Sequence, residues 1–162
     1  MTGHETVPTL GLRRQYPVAP EIVFRAFTDA EWLERWFCPS PDVTMSVSGL
    51  DVRVGGGYRF VFRFPEDRIA VVVGEFRAVA PPRQLAFTWS WEPPDPHAGL
   101  ETLVTVDLRP IGGGTELSLT HALLPTEPIR HMHESGWSAT LDRLLGLLSD
   151  ETDSFRALKN EP

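Results

Sequence analysis

The sequence is short of cysteine, of positive charge and of long apolar runs. Cys38 is the one cysteine in 162 residues, so no disulfide can close within the chain. The net charge is −7 at pH 7. A phosphate backbone needs a basic field, so this balance argues against a nucleic-acid partner, and it disfavours an anionic membrane surface for the same reason. No apolar run approaches the ~20 residues of a membrane span. The opening stretch, MTGHETVPTLG, lacks a basic end followed by apolar residues, so no secretory signal is expected. These shortages together point to the cytoplasm. A phosphate-cradling loop is missing as well. The two GGG runs, at 55–57 and 112–114, each join strands, whereas phosphate loops feed helix N-termini.

What is present reads as an ordinary globular domain. Hydrophobic residues make up 41% and charged residues 23%, and the length suits one domain with its own core. Residues 9–16 alternate as a strand that Pro17 stops. The period then changes. Pro20 and Glu21 suit the first turn of a helix, and Ile22, Val23, Ala26 and Phe27 form its apolar face. Asp29 is placed to cap a second short helix that carries Trp32, Leu33, Trp36 and Phe37. From 43 to 122 the pattern is β throughout, with about six strands and an irregularity at Gly49. YRFVFRF puts Tyr58, Phe60, Phe62 and Phe64 on one face. LAFTWSW does the same for Leu85, Phe87, Trp89 and Trp91, and the next strand aligns Leu100, Thr102, Val104, Val106 and Leu108. The strand at 69–80 is apolar on both parities, so its inward face is not assigned. His121 shares parity with Leu117 and Leu119, which turns it inward.

The last helix spans IRHMHESGWSATLDRLLGLL, residues 129–148. At roughly 100° per residue, Ile129, His133, Gly136, Trp137, Thr140, Leu141, Leu144, Leu147 and Leu148 share one face. The C-terminal half of that stripe is leucine and belongs to a core. The N-terminal half holds a histidine, a glycine, a tryptophan and a threonine. A glycine inside a helix costs about 1 kcal/mol relative to alanine. Two readings of Gly136 are open. It leaves space for something, or it lets the helix approach the sheet closely.

In their order along the chain, these segments resemble a known family. YPVAPEIVFRAFTDAEWLERWF is similar to the opening of START-like (SRPBCC) helix-grip proteins. The branch it resembles is the one named for the activator of the heat-shock chaperone ATPase. DVRVGGGYRF, GEF at 74–76, PPRQLAFTW, GGGTELSLTH and the GW…L terminal helix continue the pattern over about residues 9–149. The resemblance implies an α+β helix-grip fold. A curved antiparallel sheet of six to seven strands would grip the long C-terminal helix, with two short helices after the first strand. Residues 1–8 and 150–162 would be flexible tails. The resemblance further implies a cavity between sheet and helix, apolar or aromatic small molecules as ligands, and in the founding case contact with a chaperone. It brings no shared catalytic residues.

The expected site follows from these faces. Phe60, Phe62, Phe87, Trp89, Trp91 and Trp137 should look into one interior with Val104. Trp36 and Phe37 should stand near its rim. Gly136 and Thr140 should line the helix side, and His121 and His133 should supply polar groups. The leading expectation is a protein that binds an apolar or aromatic molecule, with no catalytic residue, metal or cofactor. An enzyme of the same fold using the histidines is the alternative, and a co-chaperone-like module is the third. His131 and His133 diverge by about 200° and cannot share a metal. His4 and His97 are expected in solvent, and Glu75 on a solvated face. Cys38 has no base in any nearby pattern. The oligomeric state is left open.

Overall fold

The computed structural model describes residues 9–159, with side chains as far as Ser149. Strand β1, Leu10–Tyr16, leads into helices α1, Pro20–Thr28, and α2, Ala30–Trp36. Six strands follow: β2, Thr44–Leu50; β3, Gly57–Arg63; β4, Ile69–Ala80; β5, Gln84–Trp91; β6, Thr102–Ile111; and β7, Gly114–Ala122. Helix α3, Glu127–Lys159, ends the described chain. The seven strands form one antiparallel sheet in the order β1-β7-β6-β5-β4-β3-β2. Every neighbour except β1–β7 is consecutive in sequence, so α1 and α2 carry the chain from one sheet edge to the other. This is the expected helix-grip architecture.

Local chemistry accounts for most element limits. Pro20 opens α1, and the Asp29 carboxylate accepts the backbone N–H of Trp32 at 3.2 Å to start α2. The Trp36 indole then donates to the Ala26 carbonyl at 2.9 Å and ties the two short helices together. Helix α3 begins two residues before the apolar stripe. Thr126 caps it by accepting from the Ile129 N–H, and Pro128 sits in its first turn. Its backbone continues to Lys159, past the helix end at 148 read from the sequence and into the stretch from 150 expected as a tail. Residues 1–8 and 160–162, expected as tails, lie outside the described residues. Strand β6 starts at Thr102 rather than Leu100, because turns occupy the proline-rich stretch before it. Its hairpin to β7 closes at Ile111 and Gly114 across Gly112 and Gly113, whose φ values of 46° and 86° only glycine adopts readily.

The unassigned parity of β4 has a physical cause. Val72 and Phe76 face inward at even positions, but the β4–β5 register shifts between Phe76 and Ala78. Beyond that bulge Val79 pairs with the buried Leu85, so the inward face changes to odd positions. One strand therefore needs apolar residues on both parities.

The leucine half of α3 lies in the main core. Leu141, Leu144 and Leu148 are fully buried, as are Leu10, Leu117 and Leu119 on the sheet. The Tyr16 hydroxyl donates to the Leu141 carbonyl at 3.0 Å, and Arg14 reaches Ser138 at 2.8 Å and Asp142 at 3.1 Å. Burial pushes the Tyr16 hydroxyl well above its ordinary range, so it stays a donor. Among the described residues no helix is long and apolar enough to cross a membrane.

Gly74, the glycine of GEF, is required by packing. The Tyr58 ring lies against β4 there and its hydroxyl donates to the Thr88 carbonyl. A Cβ on Gly74 would overlap both that carbonyl and the Tyr58 ring. Gly74→Ala should destabilise the fold by about 2–3 kcal/mol, a fall of roughly 5–10 °C in calorimetric melting temperature. A melting temperature equal to that of the unmutated protein would contradict this close packing.

Candidate functional site

Between the sheet and the first half of α3 lies a cavity of about 410 Å³. Sheet residues Phe62, Trp89 and Trp91 form one wall, and Phe37, just past α2, adds to it. Helix residues Met132, His133, Gly136, Trp137 and Thr140 form the other. The mouth is built by two connections. Phe64, Arg68 and Ala70 come from the β3–β4 turn and its flanks, and Asp95, Pro96 and His97 from the β5–β6 loop. Pro39 completes it.

Eight of the residues expected at the site are thus on the cavity wall: Phe37, Phe62, Trp89, Trp91, His133, Gly136, Trp137 and Thr140. The other five are buried elsewhere. Trp36 points back to α1 through its bond to Ala26. Phe60 packs between Phe37 and Tyr58, at ring distances of 5.2 and 4.7 Å. Phe87 meets Tyr58 and Phe76 edge to face. Val104 lies opposite His121 in the β6–β7 register, and both are fully buried. Sharing a sheet face does not suffice, because Phe60, Phe87 and Val104 meet packed neighbours on that face while Phe62, Trp89 and Trp91 border the cavity. His97 corrects the expectation of a solvent residue. It lines the mouth, with its Nδ1 3.3 Å from Asp95 Oδ1. The mouth residues Phe64, Arg68, Asp95 and Pro96 carried no periodic signal. The length and proline content of the 92–99 connection were the available hint.

Gly136 is settled between its two readings. An added Cβ there would meet no atom within 4 Å. The glycine does not permit a close approach; it faces open space. Aromatic rings hold the neighbourhood open. Trp137 meets Phe37 edge-on at 5.4 Å and Trp89 at 5.2 Å, and Trp89 meets Trp91 at 5.7 Å.

Both histidines are fully engaged. The Trp137 indole N–H donates to His121 Nδ1 at 3.1 Å. An indole nitrogen only donates, so that Nδ1 carries no proton. The Nε2–H of His121 therefore donates to the Thr102 hydroxyl at 2.7 Å, and that hydroxyl donates to the Trp89 carbonyl at 3.0 Å. His133 takes the opposite tautomer. Its Nε2 accepts from the Trp91 indole at 3.2 Å, and its Nδ1–H donates to the Ile129 carbonyl at 2.8 Å. The two rings are 5.0 Å apart. Burial, aided by His133, pushes His121 down to about 3. Burial also lowers His133, against the opposing effect of its bond to Ile129. Both rings are neutral near pH 7. The Trp89 indole nitrogen is buried with no hydrogen-bond partner among the described residues.

Other candidates fall away from the cavity. Glu75 is half exposed, 3.8 Å from Arg77 on the outer face. Cys38 is buried, with its thiol near the Ser40 carbonyl. No grouping of three or more His, Cys, Asp or Glu among the described residues could hold a metal ion.

A sequence profile described as "Activator of Hsp90 ATPase homolog 1-like protein" matches residues 17–149. Solved structures give the same likeness. The AHSA1 protein of Silicibacter pomeroyi is 30% identical, with a TM-score of 0.79 over 89% of this chain and 99% of that one. A protein from Chromobacterium violaceum is 28% identical, with a TM-score of 0.78 over 86% and 96%. One from Nitrosomonas europaea is 28% identical, with a TM-score of 0.71 over 88% and 95%. No match was found among curated proteins.

The lowered histidines give a pH dependence of known sign. Below about 6.5 the unfolded chain binds protons that folded His121 refuses, so stability is full above that pH and is lost as pH falls toward 3. The unfolding free energy from urea titrations between pH 7 and 5 should fall by about 1 kcal/mol per pH unit on account of His121, with a further loss in the same direction from His133. His121→Asn should flatten the slope, whatever it does to the plateau. A flat profile for the unmutated protein would mean that the folded rings take up protons as readily as the unfolded chain does.

Proposed function

The chain belongs to the activator of Hsp90 ATPase homolog 1-like family of START-like (SRPBCC) helix-grip proteins, and from that premise we propose that it binds a small apolar or aromatic molecule between its sheet and α3. The family fold commonly serves ligand binding. Gly136 carries the proposal. On the inward stripe of a long helix, where leucine or alanine would be more stable, this residue lines an aromatic-walled cavity and faces empty space. A volume near 410 Å³ is at the small end for drug-sized ligands. Ring faces and edges from Phe37, Phe62, Trp89 and Trp137 supply stacking surface, and the Trp89 N–H and the Thr140 hydroxyl supply polar groups. In this role the protein needs no cofactor. Its single cysteine and acidic charge suit the cytoplasm.

The enzyme reading, a hydrolase, cyclase or dehydratase using the histidines, has less support. A general base needs a nitrogen that can reach substrate, and each ring nitrogen of His121 and His133 already holds a protein partner. A co-chaperone-like role is carried by the family's name alone.

N-phenyl-1-naphthylamine, a neutral aromatic dye, should quench tryptophan emission on binding. Gly136→Leu should weaken that binding more than tenfold by filling the cavity. Gly136→Ala should retain binding and stabilise the protein by about 0.5–1 kcal/mol. Dye binding unchanged in Gly136→Leu would move the site elsewhere.

A further inference from the structure

A cation stands at the mouth of the cavity with no anionic partner among the described residues. Arg68 closes the β3–β4 turn, its carbonyl accepting the Phe64 N–H at 2.8 Å. Its guanidinium carbon lies 4.1 Å from the centre of the Phe64 ring, and both residues line the cavity. The side chain makes no hydrogen bond or ion pair with any described residue. A guanidinium with one face on an aromatic ring keeps its in-plane N–H edge free, and that fork matches the two oxygens of a carboxylate. Across the mouth, the Asp95 carboxylate is turned into its own loop. Its Oδ1 accepts the His97 backbone N–H at 2.8 Å and lies beside the His97 ring. The interior behind Arg68 is aromatic, and its histidines are neutral. Inside, the groups left to meet a ligand, such as the Trp89 N–H, are neutral, whereas Arg68 at the rim offers a full positive charge.

Resting on the cavity reading above, we propose that the bound molecule is an aromatic carboxylate. It enters rings first and leaves its carboxylate against Arg68. Arg68 is then the residue that selects an acid over a neutral molecule of the same shape.

The test compares 2-naphthoate with 2-naphthamide, which share a ring body and differ in charge. Titrations at pH 7.5 and low salt follow tryptophan quenching. The unmutated protein should bind naphthoate roughly five- to tenfold tighter. Arg68→Gln should abolish that preference and leave naphthamide binding within about twofold. Arg68→Lys should keep part of it, because a point charge lacks the fork. Added salt should erode the preference, since the pair sits at the rim. Equal binding of the two compounds by the unmutated protein overturns the proposal, as does a preference that survives in Arg68→Gln. If the neutral dye binds while naphthoate shows no advantage, only the carboxylate proposal fails. If neither compound nor the dye binds, the cavity reading fails with it. Arg68 is exposed, and matching melting curves for the variants show that the fold is intact.

Discussion

The structure depends on a buried hydrogen-bonded chain that joins the last helix to the sheet. Trp137 of α3 donates to His121 of β7, His121 to Thr102 of β6, and Thr102 to the backbone of β5. Each group is out of water, and leaving any one unpaired would cost about 1–3 kcal/mol. The chain therefore sets the height of α3 above three adjacent strands and fixes the rotation of the Trp137 ring. One turn toward the C-terminus, Tyr16 performs the same service for the other end through the Leu141 carbonyl. With both points held, the leucines beyond pack onto the sheet and the first half of the helix is kept away from it.

That division lets one helix do two jobs. Its leucine half contributes nonpolar burial, the term on which most of the stability rests. Its first half presents large rings and a glycine to a space that aromatic edges hold open. The cost of Gly136 in helix propensity is small against the leucine burial further on, so the helix tolerates it. The histidines belong to this scaffold. His121 is a spacer with every hydrogen-bonding position used. His133 reaches the cavity wall, but its ring is oriented by Trp91 and by its own helix. Polar groups that a reading of residue types would assign to chemistry are here required by the packing of tryptophans, whose N–H groups need acceptors when buried.

Much of the fold was legible because the relevant signals are local. The alternation of Tyr58, Phe60 and Phe62 gave β3 its face. Asp29 and Pro20 marked helix starts through bonds within one turn of themselves. The glycines before Thr115 marked a hairpin. The parity of β4 was not legible, because a bulge changes the inward face halfway and period-two reasoning assumes one register throughout. At the site, residues on α3 were legible from helical angle alone. The strand residues were legible only as to face. Phe60 and Phe87 share faces with Phe62 and Trp89 yet end in packed surroundings, and nothing in the alternation distinguishes positions along a strand. Arg68, Asp95 and His97 were silent, since turns and loops carry no period.

By itself, then, the sequence determined the order and type of the elements, the inward faces of most of them and the family to which the chain belongs. These follow from side-chain spacing and turn chemistry, which act over a few residues. Tertiary structure decided where along the shared interior the packing stops and the cavity begins. It decided that Gly136 faces space, that both histidines are neutral and fully bonded, and that two distant connections bring Arg68 and His97 to one mouth. Those outcomes depend on sheet curvature and on contacts between residues far apart in the chain. No local pattern encodes such distances.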